Sequence, residues 1–377
     1  MDRLAEVCER VAATNSRLRK VELLSTYFRT LDTAADLERA VSFLCGYPIV
    51  RQPNARMSAG YSTLRAAALE AMPWDEETLR LCLRETGDAG EGIGLLLRHT
   101  PGDQALPLAE ADELYVRLLL ARHAQDKVRL LADAFRRYRP LAVAYLIKFA
   151  SGNPRIGLQE KMVEEAVAAA LDVPVAAIRE ASNKLGNLAQ VAVAARRGEL
   201  DRIEARLFHP LDFMLAKPIE AIANVAAPAE WLVEDKYDGI RAQLHVDAAR
   251  QVRIFTRGAE DATAAFPEIV EAAAAAVPEP AVFDGEVLGW RDGRALPFAA
   301  LQQRLARKKV SAALSDEVPV IFMAYDLLFR GRALVLDTPI ESRRAALEML
   351  FPSAAPRLLI SPQQSLDSHE EIGRAHV

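Results

Sequence analysis

Cysteine is scarce in this chain: Cys8, Cys45 and Cys82 are odd in number and widely spaced. That excludes a disulfide framework and leaves no zinc-ligand spacing, so the three read as buried small hydrophobes in a reducing cytoplasm. No apolar run reaches the ~18 residues that a bilayer-spanning helix needs. The opening residues Met1-Asp2-Arg3-Leu4-Ala5-Glu6 lack the charged-then-apolar layout of a signal peptide. Positive charge is not in excess either, because the net charge is −5. Any binding to nucleic acid must therefore come from local patches. Lysine supplies only nine of the 47 basic residues; the rest are arginine, which suits bidentate phosphate contacts. No internal repeat is present.

With 51% hydrophobic and 26% charged residues in 377 positions, the composition is that of a globular protein of two or three domains. Residues 1–205 read as helical. Asp32 or Thr33 can cap a helix with Leu37, Val41 and Leu44 on one face, and Pro73-Trp74-Asp75 opens another with Leu79, Cys82 and Leu83. Apolar residues recur at helical spacing over 109–137, over 141–147, over 159–171 and over 175–197, with Ser151-Gly152-Asn153-Pro154 as a break. Gly90-Glu91-Gly92-Ile93-Gly94 reads as a turn rather than a phosphate loop, since no strand precedes it and no Lys-Ser/Thr follows.

The pattern changes near Phe208-His209-Pro210. Ile240, Ala242, Leu244 and Val246 alternate with Arg241, Gln243, His245 and Asp247, which predicts a half-buried strand. A second strand follows at 252–257, an alanine-rich helix at 266–277, and further strands at 281–290 and 319–329. This half reads as α+β with antiparallel sheets. His209 and His245 read as structural.

One short run carries chemistry. Glu234-Asp235-Lys236-Tyr237-Asp238-Gly239-Ile240-Arg241 contains K-x-D-G-x-R, four fixed residue types in six positions. A lysine so placed can attack the α-phosphate of a nucleoside triphosphate and hold the nucleotide as a phosphoramidate. The attacking amine must be neutral, which burial or a nearby cation promotes, and the pyrophosphate leaving group needs neutralising charge, normally Mg²⁺. Arg241 is placed to touch sugar or phosphate, and Asp238-Gly239 to form a tight turn that exposes the lysine.

With these motifs the chain resembles the ATP-dependent DNA ligases of the long bacterial type, whose layout is shared with archaeal and eukaryotic replicative enzymes. Thr256-Arg257-Gly258-Ala259-Glu260-Asp261-Ala262-Thr263 resembles the family's S-R-x-x-E-D-x-T segment, Phe283-Asp284-Gly285-Glu286-Val287 its D-x-E motif, and Phe322-Met323-Ala324-Tyr325-Asp326-Leu327-Leu328 its aromatic motif. Pro297-Phe298 through Arg304 resembles P-F-x-x-L-x-x-R, Pro154-Arg155-Ile156-Gly157-Leu158 the R-I-G-L turn of the DNA-binding domain, and 209–216 the linker before the catalytic domain. Ser182 through Ala189 loosely resembles T-G-D-L-G, without its aspartate.

The resemblance implies an all-α N-terminal DNA-binding domain (1–205) followed by an α+β, ATP-grasp-like nucleotidyltransferase domain of antiparallel sheets (206–370). It implies ATP as adenylate donor, Mg²⁺, nicked double-stranded DNA as partner, and a cytoplasmic monomer. Lys236 would be the nucleophile, Glu234 and Asp235 would read the base edge, and Arg241 would touch the sugar or phosphate. Arg257 would face the nucleotide or the nicked strand, Glu286 would contact the ribose or help hold the metal, and Tyr325 would stack on adenine. Arg136, Arg137, Arg139 and Arg155 are the phosphate-binding candidates, as backbone contacts without base reading require. Arg304, Arg307, Lys308 and Lys309 would lie beside the nucleotide or on the DNA face.

The family's E-G-x-x-x-K motif, its lysine-rich motif and its C-terminal OB-fold do not follow in this sequence. Residues 371–377, Glu-Ile-Gly-Arg-Ala-His-Val, resemble translated sequencing-adapter DNA and are expected to carry no function. A chain so shortened is expected to self-adenylate weakly or not at all and to seal nicks inefficiently. The rival readings are an RNA ligase, an mRNA-capping guanylyltransferase, and a non-catalytic DNA-end-binding module.

Overall fold

A computed structural model describes residues 1–49, 60–99, 102–152, 154–211, 213–221, 231–258, 260–305, 310–351 and 355–365. The chain divides into two compact units, Met1–Ile203 and Glu204–Val377.

The first unit is helical: α1 (Asp2–Ala12), α2 (Arg17–Arg29), α3 (Ala34–Leu44), α4 (Tyr61–Ala71), α5 (Glu76–Thr86), α6 (Ala89–Leu97), α7 (Leu108–Leu120), α8 (Ala124–Arg137), α9 (Pro140–Ala150), α10 (Glu160–Leu171), α11 (Val175–Leu185) and α12 (Leu188–Arg197). Ser16, Thr33, Asp75, Asp88 and Asn187 each accept a hydrogen bond from a backbone N–H of the first turn, satisfying donors the helix leaves orphaned. Gly186, in the left-handed conformation, ends α11 and splits what the periodicity predicts as one helix. The 109–137 stretch is likewise two helices, α7 and α8.

Gly90, Gly92 and Gly94 lie inside α6, which corrects the predicted turn. The glycines thin the helix where it meets its neighbours. A Cβ on Gly90 would stand 2.4 Å from the Ala144 carbonyl oxygen, and one on Gly94 2.7 Å from the Ala144 Cβ. They are there to let α6 approach α9, which repays their poor helix propensity through packing.

The second unit is built on a seven-stranded sheet. Its spine is β3 (Val252–Thr256), β2 (Ile240–Val246), β4 (Ala281–Arg291), β6 (Val320–Arg330) and β7 (Ala333–Leu334); β5 (Arg294–Ala295) pairs with β4, and β8 (Leu358–Ile360) pairs parallel with β6. The other pairings are antiparallel. A separate two-stranded sheet joins β1 (Leu232–Glu234) to β9 (Gln363–Ser365). One face of the large sheet buries Ala242, Leu244, Val246, Phe283, Val287, Phe322 and Leu327 together with Ile269 and Ala273 of α13 (Pro267–Ala276) and Leu347 and Leu350 of α16 (Ile340–Leu350).

The opposite face departs from the half-buried strand expected of β2: Gln243 and His245 are wholly buried. The segment 205–211 covers them. Gln243 accepts from the Leu211 N–H at 2.8 Å and donates to the Leu211 carbonyl at 2.9 Å, and His245 Nδ1 accepts from the Phe208 N–H at 3.2 Å. An alternating strand predicts a polar, wet face; here the polar residues instead hydrogen-bond a covering strap.

Arg304, on α14 (Phe298–Leu305), which precedes the short α15 (Ala312–Glu317), is also not where the sequence places it. Its side chain is fully buried, bound to both carboxylate oxygens of Glu268 and to the carbonyls of Ala265 and Val318. It is an internal brace of the second unit. Arg307, Lys308 and Lys309, and the tail 371–377, lie outside the described residues.

Candidate active site

Beyond the strap, the same face of the sheet becomes polar. Arg241 on β2 pairs in register with Glu286 on β4, and its guanidinium forks onto Asp284 at 3.2 and 2.8 Å. It also lies 5.4 Å over the Phe213 ring. Burial pushes the Asp284 carboxyl up from its ordinary value, with Arg241 opposing, while the carboxylate holds the guanidinium firmly charged. Asp284 was read in the sequence only as part of the D-x-E pattern; the structure makes it the partner that aims Arg241.

Next to this pair, the register of β4 with β6 slips: Asp284 faces Asp326, and Gly285 faces Ala324. Tyr325 is thus the extra residue of a β-bulge, a device that re-aims a side chain. Its hydroxyl donates to Glu286 Oε2 at 2.9 Å. Burial raises the Glu286 carboxyl above its ordinary value, and the Tyr325 hydroxyl and the nearby Gly239 backbone oppose the shift. The facing Asp326 would repel Asp284, and Arg343 of α16 offsets this by forking onto Asp326 at 2.8 Å from both nitrogens. The sequence offered no signal for Arg343.

Gly239 explains the G of K-x-D-G. It has no left-handed φ; a Cβ there would fall 2.5 Å from the Val287 carbonyl and 2.8 Å from Glu286 Cγ. The glycine brings the lysine loop onto β4, rather than forming the predicted tight turn by backbone freedom. Three residues earlier, Lys236 is exposed, with no hydrogen-bond or ion-pair partner among the described residues. Asp235 is exposed as well.

Glu234, the last residue of β1, accepts from Gln363 Nε2 at 3.1 Å and lies 3.6 Å from Arg344 Nη1. Partial burial raises its carboxyl, against the pull of Gln363 and Arg344. The stretch from β8 to β9 ties this strand to the aromatic one, because the Ser361 N–H donates to the Ala324 carbonyl. Arg257 follows β3; its N–H donates to the Arg241 carbonyl at 3.1 Å and its side chain is exposed. In the same segment Asp261 and Thr263 shape the chain: Asp261 accepts from the Thr263 N–H, and Thr263 Oγ1 from the Ile254 N–H, both at 3.0 Å. Arg241, Glu286 and Tyr325 thus meet on one face, with Asp284 as a fourth member.

In the helical unit, the four phosphate candidates have exposed side chains with intramolecular partners. Arg136 binds the Glu70 carbonyl and Asp133, Arg137 binds Gln104 and Glu110, Arg139 binds the Asp103 carbonyl and Asp2, and Arg155 binds the Gly87 carbonyl. Arg155 has φ +55°, and its turn is gripped by the buried Lys20, whose ammonium donates to the carbonyls of Ile156 (2.9 Å) and Gly157 (2.7 Å).

No described helix is long and apolar enough to cross a membrane. Residues 1–168 match the DNA ligase N terminus, and residues 213–376 match the ATP dependent DNA ligase domain. The chain is 35% identical to a probable DNA ligase of Koribacter versatilis over 99% of its own length and 69% of the relative's. It is 31% identical to a DNA ligase of Methanothrix thermoacetophila with the same coverages. The solved chain Pmar-Lig_PreS3 shares the fold at a TM-score of 0.54 and 13% identity, over 98% of this chain and 69% of that one. The N-terminal match speaks against the RNA-ligase and capping alternatives, neither of which needs that helical half. The chain belongs to the ATP-dependent DNA ligase family.

Proposed function

We propose that Lys236 is the nucleophile that takes AMP from ATP, and that the lysyl-AMP so formed passes the nucleotide to the 5′-phosphate of a nicked duplex, where the adjacent 3′-hydroxyl attacks and releases AMP. The observation that carries this reading is the convergence of Arg241, Glu286 and Tyr325 on one sheet face, with the lysine loop pinned to the same strand through Gly239. Lys236 Nζ attacks the α-phosphorus, the Nζ–P bond forms as the bond to pyrophosphate breaks, and Nζ gives up its proton. Tyr325 offers its ring to the base. Glu234 and Asp235 lie at the base edge, and Arg241 and Arg257 supply positive charge toward sugar and phosphates. In the free chain Arg241 is held by Asp284, so its approach to nucleotide is aimed in advance.

Mg²⁺ usually binds through one or two carboxylates with substrate phosphates completing its shell. Where the ribose does not take it, Glu286 fits as such a carboxylate; no group of three or more acidic, histidine or cysteine ligands exists among the described residues. When bound, the ion would neutralise charge developing on the leaving pyrophosphate.

Arg136, Arg137, Arg139 and Arg155 are proposed as contacts to the phosphate backbone, with affinity that falls as salt rises. The same reading has the protein act as a monomer in the cytoplasm, where its free cysteines remain reduced. The test is transfer of label from [α-³²P]ATP to the chain. However faint, the label must depend on Lys236, must not come from GTP, and must vanish in Lys236→Ala. Equal labelling of Lys236→Ala overturns the assignment. Nick-dependent DNA binding unaffected by Lys236→Ala, with no AMP transfer even in a chain extended through the family's later motifs, favours the non-catalytic binding module instead.

A further inference from the structure

We infer that the Tyr325 hydroxyl, distinct from its ring, is a positioning and specificity-determining group that holds Glu286 ready for a ribose hydroxyl. The inference rests on the proposed nucleotide site and on the ribose contact that the resemblance implies for Glu286, and adds the group that holds this carboxylate in place.

Three observations converge. Tyr325 occupies the bulge where β6 slips one residue against β4, so its side chain is aimed by an irregularity of the sheet rather than by ordinary alternation. Its hydroxyl donates to Glu286 Oε2 at 2.9 Å, well within hydrogen-bond range. Gly239 packs so closely on β4 that a Cβ would touch Glu286 Cγ at 2.8 Å. The carboxylate is therefore fixed from two sides, by the aromatic strand and by the lysine loop.

A carboxylate has about four lone-pair positions, and the Tyr325 hydroxyl leaves acceptor capacity over. The spare capacity needs a donor. Phosphate oxygens cannot supply one and would be repelled, whereas ribose hydroxyls can. An aromatic residue without a hydroxyl could stack equally well but would remove this hold on Glu286.

The experiment measures the dissociation constants of ATP and 2′-deoxy-ATP for the full 377-residue chain, with and without Mg²⁺, in wild type, Tyr325→Phe, Tyr325→Leu and Glu286→Gln. The wild type is expected to favour ATP. Tyr325→Phe keeps the ring and is expected to bind 2′-deoxy-ATP about as well as the wild type does, while losing roughly tenfold for ATP, the scale of one hydrogen bond to a charged group. Tyr325→Leu should weaken both nucleotides, because stacking is lost too. Glu286→Gln should erase the preference as Tyr325→Phe does.

If Tyr325→Phe retains the full preference for ATP, the hydroxyl has no such role and the inference fails while the nucleotide site stands. If the preference is unchanged and only the Mg²⁺ requirement shifts, Glu286 serves the cation and the inference is again overturned. If the wild type binds neither nucleotide, the proposed site itself falls, and the inference with it.

Discussion

Arg304 and Glu268 form a fork-to-fork pair, Nη1 to Oε1 at 3.0 Å and Nη2 to Oε2 at 2.6 Å, with the guanidinium shielded from solvent and 5.8 Å from the Phe266 ring centre. Burial alone would raise the Glu268 carboxyl, but the Arg304 guanidinium, together with the backbone and Ser315, outweighs it and holds the carboxyl below its ordinary value. Breaking a buried pair from one side strands the other charge and typically costs about 3–5 kcal/mol. Arg304→Ala is therefore expected to lower the urea-unfolding free energy of the second unit by that order, with Trp290 fluorescence as reporter. Arg304→Lys should be only partly better, since an ammonium cannot span both carboxylate oxygens and the two carbonyls. A loss below ~1 kcal/mol in Arg304→Ala would show the pair to be dispensable.

Helix propensity and packing make opposite predictions at α6. In an isolated helix, Gly→Ala gains about 1 kcal/mol. At Gly90 and Gly94 the new methyl would meet Ala144 at 2.4 and 2.7 Å, and overpacking typically costs about 1–3 kcal/mol. Each alanine variant is expected to melt at a lower temperature than the wild type. A higher melting temperature in either would mean that α6 and α9 can separate without cost.

The elements legible in the sequence are those written in periodicity and caps. Thr33 and Asp75 cap where expected, and the strands around 240–246, 281–291 and 320–330 follow their apolar runs. What escaped was set by tertiary contact. The glycines of α6 look like a turn until α9 is seen against them. His245 and Gln243 look solvent-facing until the 205–211 strap covers them, and Arg304 looks like a surface charge until Glu268 is found beneath it. At the candidate site, Lys236, Glu286 and Tyr325 were legible from motif spacing. Arg343, Arg344 and Gln363 were not, because each reaches the site from more than fifteen residues away in a segment without a motif. The bulge at Tyr325 leaves no mark in the alternation that could have revealed it.

The burial of His245 carries a pH dependence. Burial is the main cause that lowers its pKa from 6.5 to about 3, with His209 adding to the effect. In the unfolded chain the ring takes a proton near pH 6.5; in the folded chain it stays neutral until about pH 3. Stability is thus fully present above pH 6.5 and falls as pH drops toward 3, by about 1.4 kcal/mol per unit. Between pH 7 and 5, where most carboxylates stay ionised, the melting temperature of the second unit should decline. His245→Asn, whose amide oxygen can replace Nδ1 as acceptor for the Phe208 N–H, should flatten that decline. An unchanged slope in the variant would remove His245 as its source.

Among the described residues, β1 pairs only with β9, and Glu234 at its end is reached by Gln363 and Arg344. The lysine loop begins at the next residue. Arg344→Met, at a side chain 14% exposed, keeps most of the apolar stem and removes the charge. It is expected to weaken ATP binding by about tenfold, the scale of a lost charge-assisted contact. Gln363→Ala should do so by less, and the double variant by less than the product of the two, because both act through Glu234. Additive losses would place them on separate routes.

Arg155 offers a test of the helical unit that needs no catalysis. Its side chain is 63% exposed, and Lys20 holds the turn that presents it. If Arg155 contacts a backbone phosphate, Arg155→Ala should weaken nicked-duplex binding equally across sequences and reduce the slope of log affinity against log salt by about 1. Lys20→Met should produce a similar loss from a residue that is itself buried, because the turn loses the cation that clasps its two carbonyls. The two defects should not add, since each removes the same presented contact. A salt slope unchanged in Arg155→Ala, measured by fluorescence anisotropy between low and moderate salt, would remove this turn from the DNA interface and leave Lys20 as a purely structural clasp.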